Sequence, residues 1–164
     1  ATKDVRHILF KVDESALDSE AETYEADLQA AKDAAKTAAE DALAQWKAGE
    51  ATEDSFAALA NELSTDAGSN TNGGLYTKIY KNQMVTEFND WCFDASRQSG
   101  DTGIVYGESS NYKGYHVMYF VGDDVPYWQV QAENALRNTD TEAWLDGLLD
   151  SAEVVQEAGM KHVG

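Results

Sequence analysis

The stretch Val5-Arg6-His7-Ile8-Leu9-Phe10-Lys11-Val12 is rich in β-branched and apolar residues, and Lys3, Asp4 and Asp13 bound it. That pattern predicts a strand. A second run of the same kind, Tyr115-His116-Val117-Met118-Tyr119-Phe120-Val121, is strongly β-prone. These are the most apolar strands of the chain, so they are expected side by side at the centre of one small sheet. Each carries a histidine, which pairing would bring within hydrogen-bond reach of the other.

Between them the periodicity changes from two to three and four. Leu17, Tyr24, Leu28, Ala31, Ala35, Ala39, Leu43 and Trp46 recur at mostly helical steps, which predicts a long acidic helix over about 17–48, ending at Gly49. Phe56, Leu59, Ala60 and Leu63 mark a short helix over 55–63, and a polar, Gly-rich loop follows over 64–74. A third helix over 83–94 buries Met84, Phe88, Trp91 and Cys92; a short strand is expected at 104–106 after a turn at 100–103, and another turn at 109–114. After Pro126 the chain reads as helix over 127–137. Thr139 and Glu142 have capping-box spacing, introducing a further helix through Trp144 and Leu149. Residues 154–155 and 159–163 look like strand or irregular tail. The order predicts an α+β fold, a small sheet surrounded by helices with a C-terminal helical extension. The division expected is 1–123 and 124–164.

Composition narrows the function. Of 164 residues 43% are hydrophobic, enough for a genuine core, and the net charge of -18 repels nucleic-acid phosphates and anionic membranes. No apolar run approaches the ~18–20 residues of a membrane span, and no signal peptide is present. A core strand almost at the first residue gives the expectation of a longer protein, with any targeting or lipid-anchor segment upstream. The single cysteine, Cys92, excludes an internal disulfide and is expected as buried packing on its helix.

The polar residues of interest are His7, His116 and, in the Gly-rich loop, Asp66. Singly each has a bland explanation: a core histidine, or an aspartate that forms a turn. No close-spaced pair such as His-x-x-x-His accompanies them, so no metal is expected.

Five short motifs in order resemble the parvulin type of peptidyl-prolyl cis/trans isomerase, as in PrsA- and SurA-like foldases. They are Val5 to Phe10; Phe56-Ala57-Ala58-Leu59-Ala60 with Ser64-Thr65-Asp66; Gly73-Gly74-Leu75; Gln83-Met84-Val85-Thr86-Glu87-Phe88; and Gly114-Tyr115-His116-Val117-Met118. The resemblance covers about 5–121 and implies that the small sheet is antiparallel. It implies that His7, Asp66 and His116 form a catalytic group. Leu75, Met84 and Phe88 would then receive a proline ring, with Gln83 beside them, and no cofactor would be needed. Asp66 would act through charge and hydrogen bonding, its ionisation and orientation set by the histidines. Partners implied are unfolded or extended proline-containing polypeptides outside the cytoplasm, with membrane attachment only through an anchor beyond this chain. A basic cluster for phosphorylated substrates is missing, since Asp13, Glu14, Asp18, Glu20 and Glu22 occupy that segment. The residues after Gly73-Gly74 also depart from the common family pattern. Apolar residues of the tail imply part of a chaperone region, and a homodimer through it is an expectation. The rival reading keeps the fold without catalysis, as a module that holds extended chains.

Overall fold

A computed structural model describes residues 1–151. Its elements in chain order are β1 (Lys3–Lys11), α1 (Tyr24–Ala48), α2 (Glu53–Leu63), β2 (Leu75–Ile79), α3 (Thr86–Cys92), β3 (Thr102–Glu108), β4 (Lys113–Asp123) and α4 (Tyr127–Ser151). The strands form one antiparallel sheet in the order β2-β1-β4-β3, so the two most apolar strands are its centre. The chain divides into two compact units, Ala1–Tyr127 and the part from Trp128 onward.

Side-chain alternation sorts the sheet into two faces. Ile8, Val117 and Tyr119 point to one face, where Ala39, Ala42 and Trp46 of α1 and Phe56, Leu59 and Ala60 of α2 cover them. Val5, Met118 and Phe120 point to the other, packed with Ile79 and with Phe88 and Cys92 of α3. Ile8, Phe56, Phe88 and Val117 are fully buried, each stabilising the fold by about 1.5–3 kcal/mol relative to exposure. Cys92 is buried as expected, and burial pushes its thiol up to about 12.

Several elements differ from the sequence reading, β3 among them, which runs over Thr102–Glu108 rather than 104–106. Helix α1 starts at Tyr24, because Asp13 and Asp18 accept from the backbone N–H of Ser15 and Glu20 and close local turns. A strand that the sequence reading lacked, β2, pairs with β1. Helix α3 is shorter than expected, because Gln83 accepts from the backbone N–H of Tyr80 and closes a turn before it. Beyond Tyr127 there is one continuous helix rather than two. Thr139 and Thr141 turn their hydroxyls back to the carbonyls of Ala135 and Arg137 inside α4, so the capping box is not used. The expectations for 154–155 and 159–163 lie outside the described residues.

Candidate active site

Antiparallel register decides where the histidines meet. His7 stands opposite Met118 and Leu9 opposite His116, so the two histidines are diagonal neighbours on the α3 face. Their Nδ1 atoms are 3.0 Å apart, their rings stack at 25°, and both residues are 2% exposed. Phe88 lies beneath them, its ring presenting edge-type contacts to His7 and to His116.

The loop after α2 delivers the carboxylate. β2 pairs only with the first half of β1, and the loop takes over from there. Leu9 N–H donates to Ser64 Oγ, while Thr65 donates to the Leu9 carbonyl from both its N–H and its hydroxyl. Asp66 follows directly and is thereby held beside His7. Its Oδ2 accepts from His7 Nε2 at 2.9 Å, Ser69 Oγ at 2.6 Å and Tyr76 hydroxyl at 3.0 Å, and its Oδ1 accepts from Gly68 N–H. The loop exit is tied to the same strand: Arg6 donates to the carbonyls of Asn72 and Gly73, and His7 N–H donates to the Gly74 carbonyl. Gly74 has φ +70°, and a Cβ there would stand 2.1 Å from the His7 carbonyl oxygen, so only glycine fits.

These contacts fix the charges. The His7 hydrogen bond, helped by those of Ser69 and Tyr76 and opposed by burial, holds the Asp66 carboxyl far below the usual carboxylate range. Burial, then proximity to His7, pushes His116 down to about 3. Burial, then the neighbouring Asp66, raises Tyr76 to about 12, and burial also raises Tyr112. Asp66 is therefore an ionised acceptor with every donor around it turned inward.

Above this group opens a cavity of about 180 Å³ lined by His7, Leu9, Lys11, Asp66, Tyr76, Met84, Tyr112 and His116. That is below the ~300–1,000 Å³ of a drug-sized pocket and suits one ring or side chain. Four of the seven residues singled out in the sequence, His7, Asp66, Met84 and His116, line it together. Phe88 is fully buried under the imidazoles and supports them from below. Leu75 does not line the cavity: it pairs with Arg6 and so lies on the opposite face, while Tyr76, paired with Val5, takes the site face. Gln83 is exposed and spent on the turn with Tyr80. Sequence reasoning missed Ser69, Tyr76 and Tyr112. The alternation of β2 would have indicated Tyr76; nothing local marks the other two.

The family model described as "Rotamase: PPIC-type PPIASE domain" matches residues 7–122. No curated protein matches the chain. A solved structure from work on PEB4 and Cj1289, two structurally related SurA-like chaperones of the human pathogen Campylobacter jejuni, is 22% identical with a TM-score of 0.46. The match covers 94% of this chain and 56% of that one, so the chain spans little more than half that protein's length. With a family model matched from the first histidine to the end of the last strand, the chain belongs to the PpiC-type peptidyl-prolyl isomerase, or rotamase, family.

Proposed function

We propose that this protein catalyses cis/trans isomerisation of prolyl bonds in unfolded or extended polypeptides, without covalent chemistry. The observation that carries the proposal is the saturated, ionised Asp66, linked through His7 to His116 beside a ring-sized notch to which Leu9 and Met84 add apolar walls. Rotation of a prolyl amide faces a barrier of about 18–20 kcal/mol, and no bond need be made or broken to cross it. The planar amide places partial negative charge on its oxygen, and the twisted amide loses that charge separation. A fixed carboxylate on the oxygen side opposes the planar form and favours the twisted one. Leu9 and Met84 would grip the ring while the acyl side turns. Asp66, with Oδ2 occupied by three donors, is an electrostatic group rather than a nucleophile.

The unit containing the sheet would be the isomerase domain, about 1–123. The segment from 124 onward would belong to a chaperone region and to a homodimer contact. On family resemblance we assign the protein to the folding of exported proteins outside the cytoplasm. Any membrane attachment would lie beyond this chain; among the described residues no helix is long and apolar enough to cross a membrane. One observation favours the second reading, a non-catalytic holdase: Trp128, Leu136, Trp144 and Leu149 of α4 are exposed.

Exchange NMR on a panel of Xaa-Pro peptides tests the proposal. The intact chain should accelerate exchange. Asp66→Ala and His116→Ala should each lose most of that acceleration while near-UV circular dichroism stays native. An intact chain that leaves exchange at its spontaneous rate, yet suppresses aggregation of an unfolded protein, would establish the holdase instead.

A further inference from the structure

The hydrogen-bond chain does not end at the histidines. Tyr112 sits at the mouth of the β3–β4 hairpin, where its carbonyl accepts from Ser109 N–H and closes the turn. Its hydroxyl lies 3.0 Å from His116 Nε2, and its ring meets the imidazole at 72° with centroids 5.6 Å apart. Tyr112 directly precedes β4, where Gly114 and His116 share one face of the strand. On the neighbouring strand, a Cβ at Gly107 would come within 2.9 Å of the same Nε2 atom. Glycine at 107 therefore leaves this nitrogen uncrowded from the neighbouring strand, and the phenol, which lines the cavity, reaches it.

With one proton on each imidazole, the direction of every hydrogen bond in the chain follows from its charged end. Asp66 is ionised and can only accept, so His7 carries its proton on Nε2, within 3.1 Å of Ser69 Oγ as well. With a single proton on that ring, Nδ1 of His7 is left to accept. His116 must donate from Nδ1, which leaves its Nε2 a bare acceptor in a buried place. An unpaired buried acceptor is costly, and a donor is needed at that position. Tyr112 supplies one.

We infer that Tyr112 is a positioning residue of the isomerase site, its hydroxyl donating to His116 Nε2 and so anchoring the plane of the imidazole pair. The inference rests on the isomerase reading for its kinetic consequence but not for its hydrogen bond. The ring of Tyr112 walls the cavity, and the hydroxyl holds His116; the two duties separate on substitution. Tyr112→Phe keeps the wall and removes the donor. Tyr112→Ala removes both.

The test uses the full chain with ¹⁵N-labelled histidines. Side-chain NMR of the wild type should show His7 protonated at Nε2 and His116 at Nδ1, with His116 Nε2 at the shift of an acceptor that receives a hydrogen bond. In Tyr112→Phe the Nε2 signal should move to that of an unbonded imidazole nitrogen. The kcat for a prolyl peptide should fall about three- to tenfold, the equivalent of one hydrogen bond, with KM within about twofold. Gly107→Ala, which crowds the same nitrogen from the opposite side, should move that signal too. Tyr112→Ala should raise KM in addition. A wild-type His116 protonated at Nε2, or a Tyr112→Phe protein with unchanged Nε2 signal and unchanged kcat, overturns the inference. Absence of wild-type acceleration would sink the isomerase reading alone, because the nitrogen shifts still decide whether Tyr112 is the donor.

Discussion

His7 and His116 face each other through like atoms, Nδ1 to Nδ1 at 3.0 Å, so between neutral rings one must donate and the other accept. The pair cannot be oriented by its own symmetry. Asp66 at one end breaks the tie, which makes the carboxylate the element on which the whole arrangement depends.

The buried pair makes stability depend on pH. His116 is pushed down to about 3 in the folded chain against an ordinary 6.5. Below pH 6.5 the unfolded chain takes up a proton that the folded chain refuses. The stability that neutral His116 confers is therefore complete above pH 6.5 and is lost as pH falls towards 3. The slope reaches at most about 1.4 kcal/mol per pH unit. Urea unfolding at a series of pH values between 6.5 and 4 should show this slope, and His116→Gln should flatten it.

Tyr76→Phe removes one of three donors to Asp66 Oδ2. The carboxyl should titrate at higher pH than in the wild type, as followed by ¹³C NMR of its side chain. Stability at neutral pH should drop by about 1 kcal/mol, near the middle of the range for one hydrogen bond. An unmoved titration would mean that Tyr76 donates elsewhere in solution.

Gly74→Ala should be among the most damaging small changes in the protein. Its Cβ would strike the His7 carbonyl oxygen, and its positive φ adds strain of its own, together costing at least about 1–3 kcal/mol. Gly122→Ala, where an added Cβ meets nothing within 4 Å, should stay within about 0.5 kcal/mol of wild type. Denaturant midpoints of the two variants give the comparison directly.

Phe88 and Met84 are expected to part company. Phe88→Ala empties a fully buried site beneath the imidazoles and should cost about 3–5 kcal/mol. Met84 is half-buried and lines the cavity, so Met84→Ala should change stability far less and raise KM for prolyl peptides. Thermal melts alongside exchange kinetics would separate the two roles.

Much of this was legible in the chain. Strong β-formers marked β1 and β4 as the central strands, and a histidine in each placed two imidazoles on one sheet. What was hidden has physical causes. Leu75-Tyr76-Thr77-Lys78-Ile79 is a short edge strand with a polar middle and a Lys78 at φ 55°, so its pairing partner, not its composition, makes it a strand. Missing it assigned the site to Leu75 when the alternation gives it to Tyr76. Asp13 and Asp18 are acidic residues like the many solvated ones of α1, and only their backbone turns delay the helix. Ser69 meets His7 from a distant strand, and the Tyr112 hydroxyl reaches His116 only in the bent geometry at the start of β4.

The clasp of Ser64 and Thr65 on the second half of β1 bears on how a client can approach. Sheet edges commonly recruit extended peptides by lending them backbone hydrogen bonds, a form of strand augmentation. Beside Leu9 and Lys11 those groups are already taken by the protein's own loop. A visiting chain cannot dock there as one more strand, whatever its sequence. On the proposed reading a client would be engaged side chain first, through the notch, which would leave its backbone free to turn.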